Sequence, residues 1–243
     1  MTTLQPAWVL SRRPYGDSGF LVELFTGDDG RCGAVVRGAH RKKTGGSLSS
    51  ELHPFGPIVV SLAGKGDLKT LRAAESVSPG YALRGDVLLA GLYLNELLTR
   101  VLPRFDPYPQ LFLTYGDALE RLAQGIVEPV LRRLEFSLLA ALGYRIDWAF
   151  DQRGDPLADD QRYRFEPGSG FCLETDLGRT SPQALTGAEL RRVGKWLESE
   201  QWTESDMPQA GGLKHVSRVA MSQLTAGKPL NSRDLFKALK PPV

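Results

Sequence analysis

Cysteine is nearly absent: the 243-residue chain has two, Cys32 and Cys172, far apart in sequence. So few thiols exclude a disulfide-stapled secreted module, and both are expected to be buried and free. Histidine is as scarce. None of His40, His53 and His215 sits at ligand spacing from a Cys, Asp or Glu, so no metal centre is expected. No apolar run nears the roughly 20 residues needed to span a bilayer. The best, VLLAGLYL (87–94), stops at Asn95 and Glu96. The opening MTTLQPAWVLSRRP lacks a basic-then-apolar leader, which points to a cytoplasmic protein. Net charge is small as well, with 30 Lys and Arg against 28 Asp and Glu.

Catalytic signatures are missing too. The chain holds no G-x-S-x-G elbow, no H-E-x-x-H and no G-x-x-x-x-G-K-[ST] loop. GKGDLKT (64–70) has its glycines too close for a phosphate loop and reads as a turn between strands. Asp159 and Asp160 lie in a polar loop with no partner pocket in sight. The chain reads as a binder, with no cofactor and no bond-making chemistry.

Positive charge, although modest overall, is concentrated. From Arg31 to Arg72 there are eight Lys or Arg and only two acids, Glu51 and Asp67. The densest part is the loop GAHRKKTGG (38–46). A basic ridge is what a polyphosphate backbone requires. Arg37, Arg41, Lys42, Lys43, Lys65, Lys69 and Arg72 are therefore the candidate DNA contacts. The alternative reading is a solvated surface loop at 41–43. Trp8, Tyr15, Phe20, Phe25 and Phe55 punctuate the same region, and cationic grooves with stacking aromatics bind single strands. Trp8 and Phe20 also suit core packing.

The first eighty residues read as five short strands, at 7–13, 19–26, 32–38, 57–63 and 67–75, separated by turn residues. That is the strand count of a small closed barrel such as the OB-fold. From about Tyr81 the pattern becomes helical. The segment 87–102 is apolar on nearly every side, as a central buried helix is. Further helices are predicted at 111–123, from Glu128-Pro129 to Gly143, from Thr186 to Trp202, at 214–224 and at 232–239. A hairpin is predicted at 162–174, turning at 167–170. The expected class is α+β: an OB-fold β-barrel over 1–80, then a helical bundle domain over 81–243 with the hairpin inserted and C-terminal helices packing on the bundle.

The ordered set AWVLSRRPYGDSGFLVELFT (7–26), VVRGAHRKK (35–43), LHPFGPIVVSLAGKGDLKTL (52–71), GLYLNELLTRVLPRFDPYPQLF (91–112), EPVLRRLEFSLLAALGY (128–144) and GKPLNSRDLF (227–236) resembles the bacterial RecO family of DNA repair proteins. The resemblance implies binding of single- and double-stranded DNA and annealing of complementary strands. It implies partnership with RecR and with single-stranded DNA-binding protein (SSB), and help in loading RecA in the RecF pathway, in a cytoplasmic, nucleoid-associated bacterial setting. Lys228 and Arg233 in GKPLNSRDLF would add DNA contacts. The SSB tail is acidic with a terminal Phe, so its receptor needs a cation beside apolar side chains. Leu131, Arg132, Arg133 and Phe136 are the candidates, against the alternative of arginines on the solvent side of a core helix. Many relatives carry a four-cysteine zinc module after the third helix. Residues 147–154 hold no cysteine, so no zinc is expected. Two other classes stay open at this point: a nucleic-acid-processing enzyme with a cryptic site, and a purely structural interaction module.

Overall fold

The computed structural model describes residues 4–16, 19–37, 51–178, 181–208, 211–225, 227 and 230–232. Five strands, β1 (Gln5–Tyr15), β2 (Gly19–Thr26), β3 (Gly30–Val36), β4 (Pro57–Ala63) and β5 (Leu68–Ser76), close into a barrel in the order β1-β2-β3-β5-β4. Alternation explains the closure: Val9, Val22, Leu24, Cys32, Ala34, Val36, Ile58, Val60 and Leu71 all face one interior and are buried. The ladders are antiparallel except between β3 and β5, which run parallel. That single parallel joint separates the OB arrangement from an up-and-down barrel, a choice periodicity alone leaves open.

Two bulges shape the barrel. One leaves Leu10 as an extra residue of β1, between the pairs Val9–Leu24 and Ser11–Glu23. The other leaves Arg72 extra in β5, between Ala73–Ser61 and Leu71–Leu62. Beyond the first bulge β1 is one-sided. Residues 5–8 pair with β4, whereas among the described residues 11–15 pair with β2 alone, so within them the end of the β1–β2 ribbon has a free edge.

By contact the chain forms two compact units, Met1–Val127 with Leu230–Val243, and Glu128–Pro229. In the first, α1 (Gly85–Val101) buries Leu89, Ala90, Tyr93, Leu94, Leu97 and Leu98, as its near-uniform apolarity predicts. Helix α2 (Pro109–Ala123) meets the barrel through aromatics. Trp8 lies edge-on to Tyr115 at 5.6 Å between ring centroids, and Phe25 to Phe112 at 5.4 Å. Gly116 makes room for Trp8, since a Cβ there would lie 3.2 Å from the indole. Gly30, at φ +66, turns β2 into β3 where a Cβ would strike the Asp106 carbonyl at 2.0 Å.

The second unit holds α3 (Glu128–Ala141), α4 (Gly187–Glu198) and α5 (Leu213–Leu224), with a small sheet of β6 (Arg162–Glu166), β7 (Gly170–Leu173) and β8 (Leu185–Thr186) in the order β7-β6-β8. The expected hairpin is β6–β7, one face formed by Tyr163, Phe165 and Phe171, all buried, with Cys172 buried on the other face opposite Arg164. Trp148 packs between Phe136 and Phe171, at 5.1 and 5.3 Å. Thr186 and Glu189 form a capping box at the start of α4. That helix ends at Glu198 rather than Trp202. Ser199 turns extended, and Trp202 folds back edge-on to Trp196 at 6.2 Å. The helix predicted at 232–239 lies, past Ser232, outside the described residues.

Candidate nucleic-acid interface

The register gathers cations on the outside of the barrel. Residues opposite each other in a ladder share a face, as do residues two apart along a strand. Arg13 pairs with Leu21, Leu21 with Val35, and Val35 with Thr70. One position along each strand, Val22, Ala34 and Leu71 fill the interior, so this row points outward. The next row begins with Tyr15 opposite Gly19. Arg37 follows the last residue of β3, and Arg72 stands at the β5 bulge two residues beyond Thr70. Arg13, Tyr15, Arg37 and Arg72 are all exposed.

Two acids flank these rows: Glu75 lies outward on β5, three residues past Arg72, and Glu23 lies one row back opposite Ser11. Glu23 is held between two arginines: Arg31 Nη1 donates to Oε1, and Arg104 Nη2 to Oε2 at 3.1 Å. Its charge is thereby neutralised locally, and on the outer face beyond it Arg13, Arg37 and Arg72 outnumber Glu75.

Two other cations pair with rings. Arg12 lies on the interior-facing side at the mouth of the barrel, its guanidinium 4.9 Å from the Phe20 centroid. Lys69 Nζ sits 4.7 Å from the Phe105 centroid and donates to the Gly64 carbonyl at 3.0 Å. Phe105, at φ +58, plugs the barrel end beside Arg31.

Of the anticipated DNA contacts, Arg37 and Arg72 thus fall on one outward face, and Lys65 is exposed in the β4–β5 turn. Lys69 points into the mouth. Arg41, Lys42, Lys43, Lys228 and Arg233 lie outside the described residues. Arg12 and Arg13 were not anticipated. The alternating SRRPY stretch was the available signal, since it continues β1 two residues past the expected strand end.

On α3, Leu131 and Phe136 are each 7 % exposed and Arg132 equally buried. Arg132 Nε reaches Glu128 at 3.1 Å, while Nη1 donates to Glu135 and, at 2.8 Å, to Ser217. Arg133 donates to the Trp196 carbonyl and, at 2.7 Å, to that of Ser199, with its guanidinium 5.3 and 4.9 Å from the Trp196 and Trp202 rings. Both arginines are therefore engaged within their own unit. Beside them Phe136, Ala140, Ile146, Trp148 and Leu197 line a cavity of about 160 Å³, with Arg145 and Glu198 at its rim.

Among the described residues, no group of three or more His, Cys, Asp or Glu side chains could hold a metal ion. Both cysteines are free and buried. Burial, with Asp29 and Glu23 nearby, pushes the Cys32 thiol up to about 12. Among the described residues no helix is long and apolar enough to cross a membrane.

A closed five-stranded barrel with this strand order, cationic on one outer face, is an OB-fold barrel, the class that binds oligonucleotides and oligosaccharides. A family model described as "Recombination protein O N terminal" matches residues 1–79, and one described as "Recombination protein O C terminal" matches 83–233. The chain belongs to the RecO family. It is 37 % identical over 243 residues to the DNA repair protein RecO of Halorhodospira halophila, covering 97 % of each chain. It is 38 % identical to that of Pseudoalteromonas atlantica, covering 95 % of this chain and 92 % of the relative. The RecO protein of Shigella boydii is 35 % identical over 98 % of this chain and 95 % of its own.

Proposed function

We propose that the chain is a cytoplasmic, nucleoid-associated recombination mediator of DNA repair. It binds single- and double-stranded DNA, anneals complementary strands and, with RecR, helps load RecA onto SSB-coated single strands. The observation that carries the DNA-binding part is the outward cluster of Arg13, Arg37 and Arg72 on the barrel. Two approaching strands repel as polyanions. A cationic face that neutralises phosphates and releases their counterions lowers that barrier without reading sequence. Lys65, Lys69, Arg41, Lys42, Lys43, Lys228 and Arg233 extend the same role. The chain acts by binding, not by catalysis.

The proposal includes a receptor for the acidic SSB tail on α3. The cavity walled by Phe136 offers an apolar slot, and Arg145, 78 % exposed at its rim and 3.7 Å from Glu198, offers a cation for which the tail would compete with that carboxylate. In this reading Leu131, Arg132 and Arg133 hold the slot's walls in place. Strand annealing with bare and SSB-coated oligonucleotides tests both surfaces together. Annealing of bare strands by the wild type, lost on reversing Arg13, Arg37 and Arg72 to Glu, supports the barrel role. Loss confined to SSB-coated strands in Arg145→Glu supports the slot, and wild-type behaviour of both variants rejects both assignments.

A further inference from the structure

We infer that Tyr15 is a stacking platform for an unpaired nucleobase, and that it gives the barrel face its preference for single strands over duplex. The inference rests on the DNA-binding reading above. Tyr15 is 53 % exposed, whereas Trp8 and Phe25 on the same strand pair are buried against α2. It stands at the end of the one-sided ribbon and shares the outward face with Arg13. Its cross-strand neighbour is Gly19, so no side chain opposes the ring. That glycine is fixed by backbone crowding: a Cβ would lie 2.7 Å from the Val36 carbonyl and 2.8 Å from that of Tyr15 itself. Any side chain at 19 would therefore disturb the ribbon as well as cover the ring.

An exposed flat ring among arginines suits one ligand chemistry. The cations take phosphates from either form of DNA. The ring can accept only a base whose face is free, which a single strand presents and a stacked duplex does not. Charge thus supplies affinity for both forms, and Tyr15 adds to one of them.

The test measures fluorescence anisotropy with a labelled oligothymidylate and a duplex of equal length, using the full chain at fixed salt and across a salt series. Tyr15→Ala should weaken single-strand binding about five- to a hundredfold. Duplex affinity should stay within about twofold, and the salt slope should not change because no charge is removed. Tyr15→Phe, which keeps the ring, should restore single-strand binding. Equal loss on both DNA forms, or no loss on either while Arg13→Ala and Arg37→Ala weaken both, would overturn the assignment and leave the cationic face intact. Failure of the wild type to bind either DNA would instead remove the reading beneath it.

Discussion

The side-chain amide of Asn95, in the middle of α1, donates to the backbone carbonyl of Leu10 at 2.9 Å across 85 positions of sequence. Leu10 is the bulged residue of β1, so its carbonyl lacks a regular ladder partner. Asn95 is 3 % exposed, and its own oxygen accepts the hydroxyl of Tyr115, which is fully buried. One buried polar side chain among the apolar core residues of α1 thereby satisfies a strand defect and a helix phenol together.

Asn95→Ala should lower stability by about 2–3 kcal/mol, because it strands a buried carbonyl and a buried hydroxyl at once. Urea unfolding checks this through a lower midpoint at unchanged slope. A midpoint equal to the wild type would mean that water or a shifted neighbour replaces the amide.

Single replacements of Arg13, Arg37 or Arg72 by Ala should each reduce the salt slope of single-strand binding by about 0.7, the contribution of one neutralised phosphate. All three are exposed, so thermal unfolding should barely move. An unchanged slope in any one of them takes that residue out of the interface.

Cys32 should resist alkylation. It is fully buried, and its thiol titrates near 12, so almost no thiolate exists at pH 8. Iodoacetamide on the native protein, followed by mass spectrometry, should leave Cys32 unmodified until denaturant is added. Rapid native labelling would show that the barrel opens.

Glu96 should support stability at neutral pH and lose that role in acid. Its carboxylate accepts the backbone N–H groups of Asn231 and Ser232, each at 2.8 Å. Burial pushes its pKa up, but Ser232, Asn231 and Arg100 outweigh that, and it titrates below the ordinary 4.5. A folded-state pKa below the unfolded one adds stability that is complete above the unfolded value and disappears as pH falls through the folded one. Glu96→Gln should therefore be less stable than wild type at pH 7, with the gap closing as pH drops below 4.5. A gap independent of pH would refute the linkage.

The barrel was legible because its strands are short, apolar and split by turn residues: Phe20, Val22 and Leu24 announce a buried face without any knowledge of partners. Helix α1 was legible for the opposite reason, having almost no polar side. The outward cluster was only half legible. Arg37 and Arg72 are far apart in sequence and are brought to one side of the barrel by the parallel β3–β5 joint, while Arg13 required knowing which face of β1 turns outward. The surroundings of Arg132 were readable in part, since Glu128 and Glu135 stand four before and three after it, the spacing at which helix charges meet. Ser217, the third partner, is 85 residues away and had no sequence signal. Lys69 counted as one more cation in a basic stretch, and only the left-handed turn at Phe105 placed a ring beneath it.

The one-sided end of β1 carries a hazard that its residues also answer. Unpaired strand margins recruit other strands, and a protein crowded onto a polymer at high local concentration is exposed to that fate. Pro14 offers no N–H to a would-be neighbour, and Arg12 and Arg13 set like charges against a second copy. In the proposed role, the same short stretch attracts a polyanion while turning away its own kind, which keeps molecules lined up along one filament from fusing edge to edge.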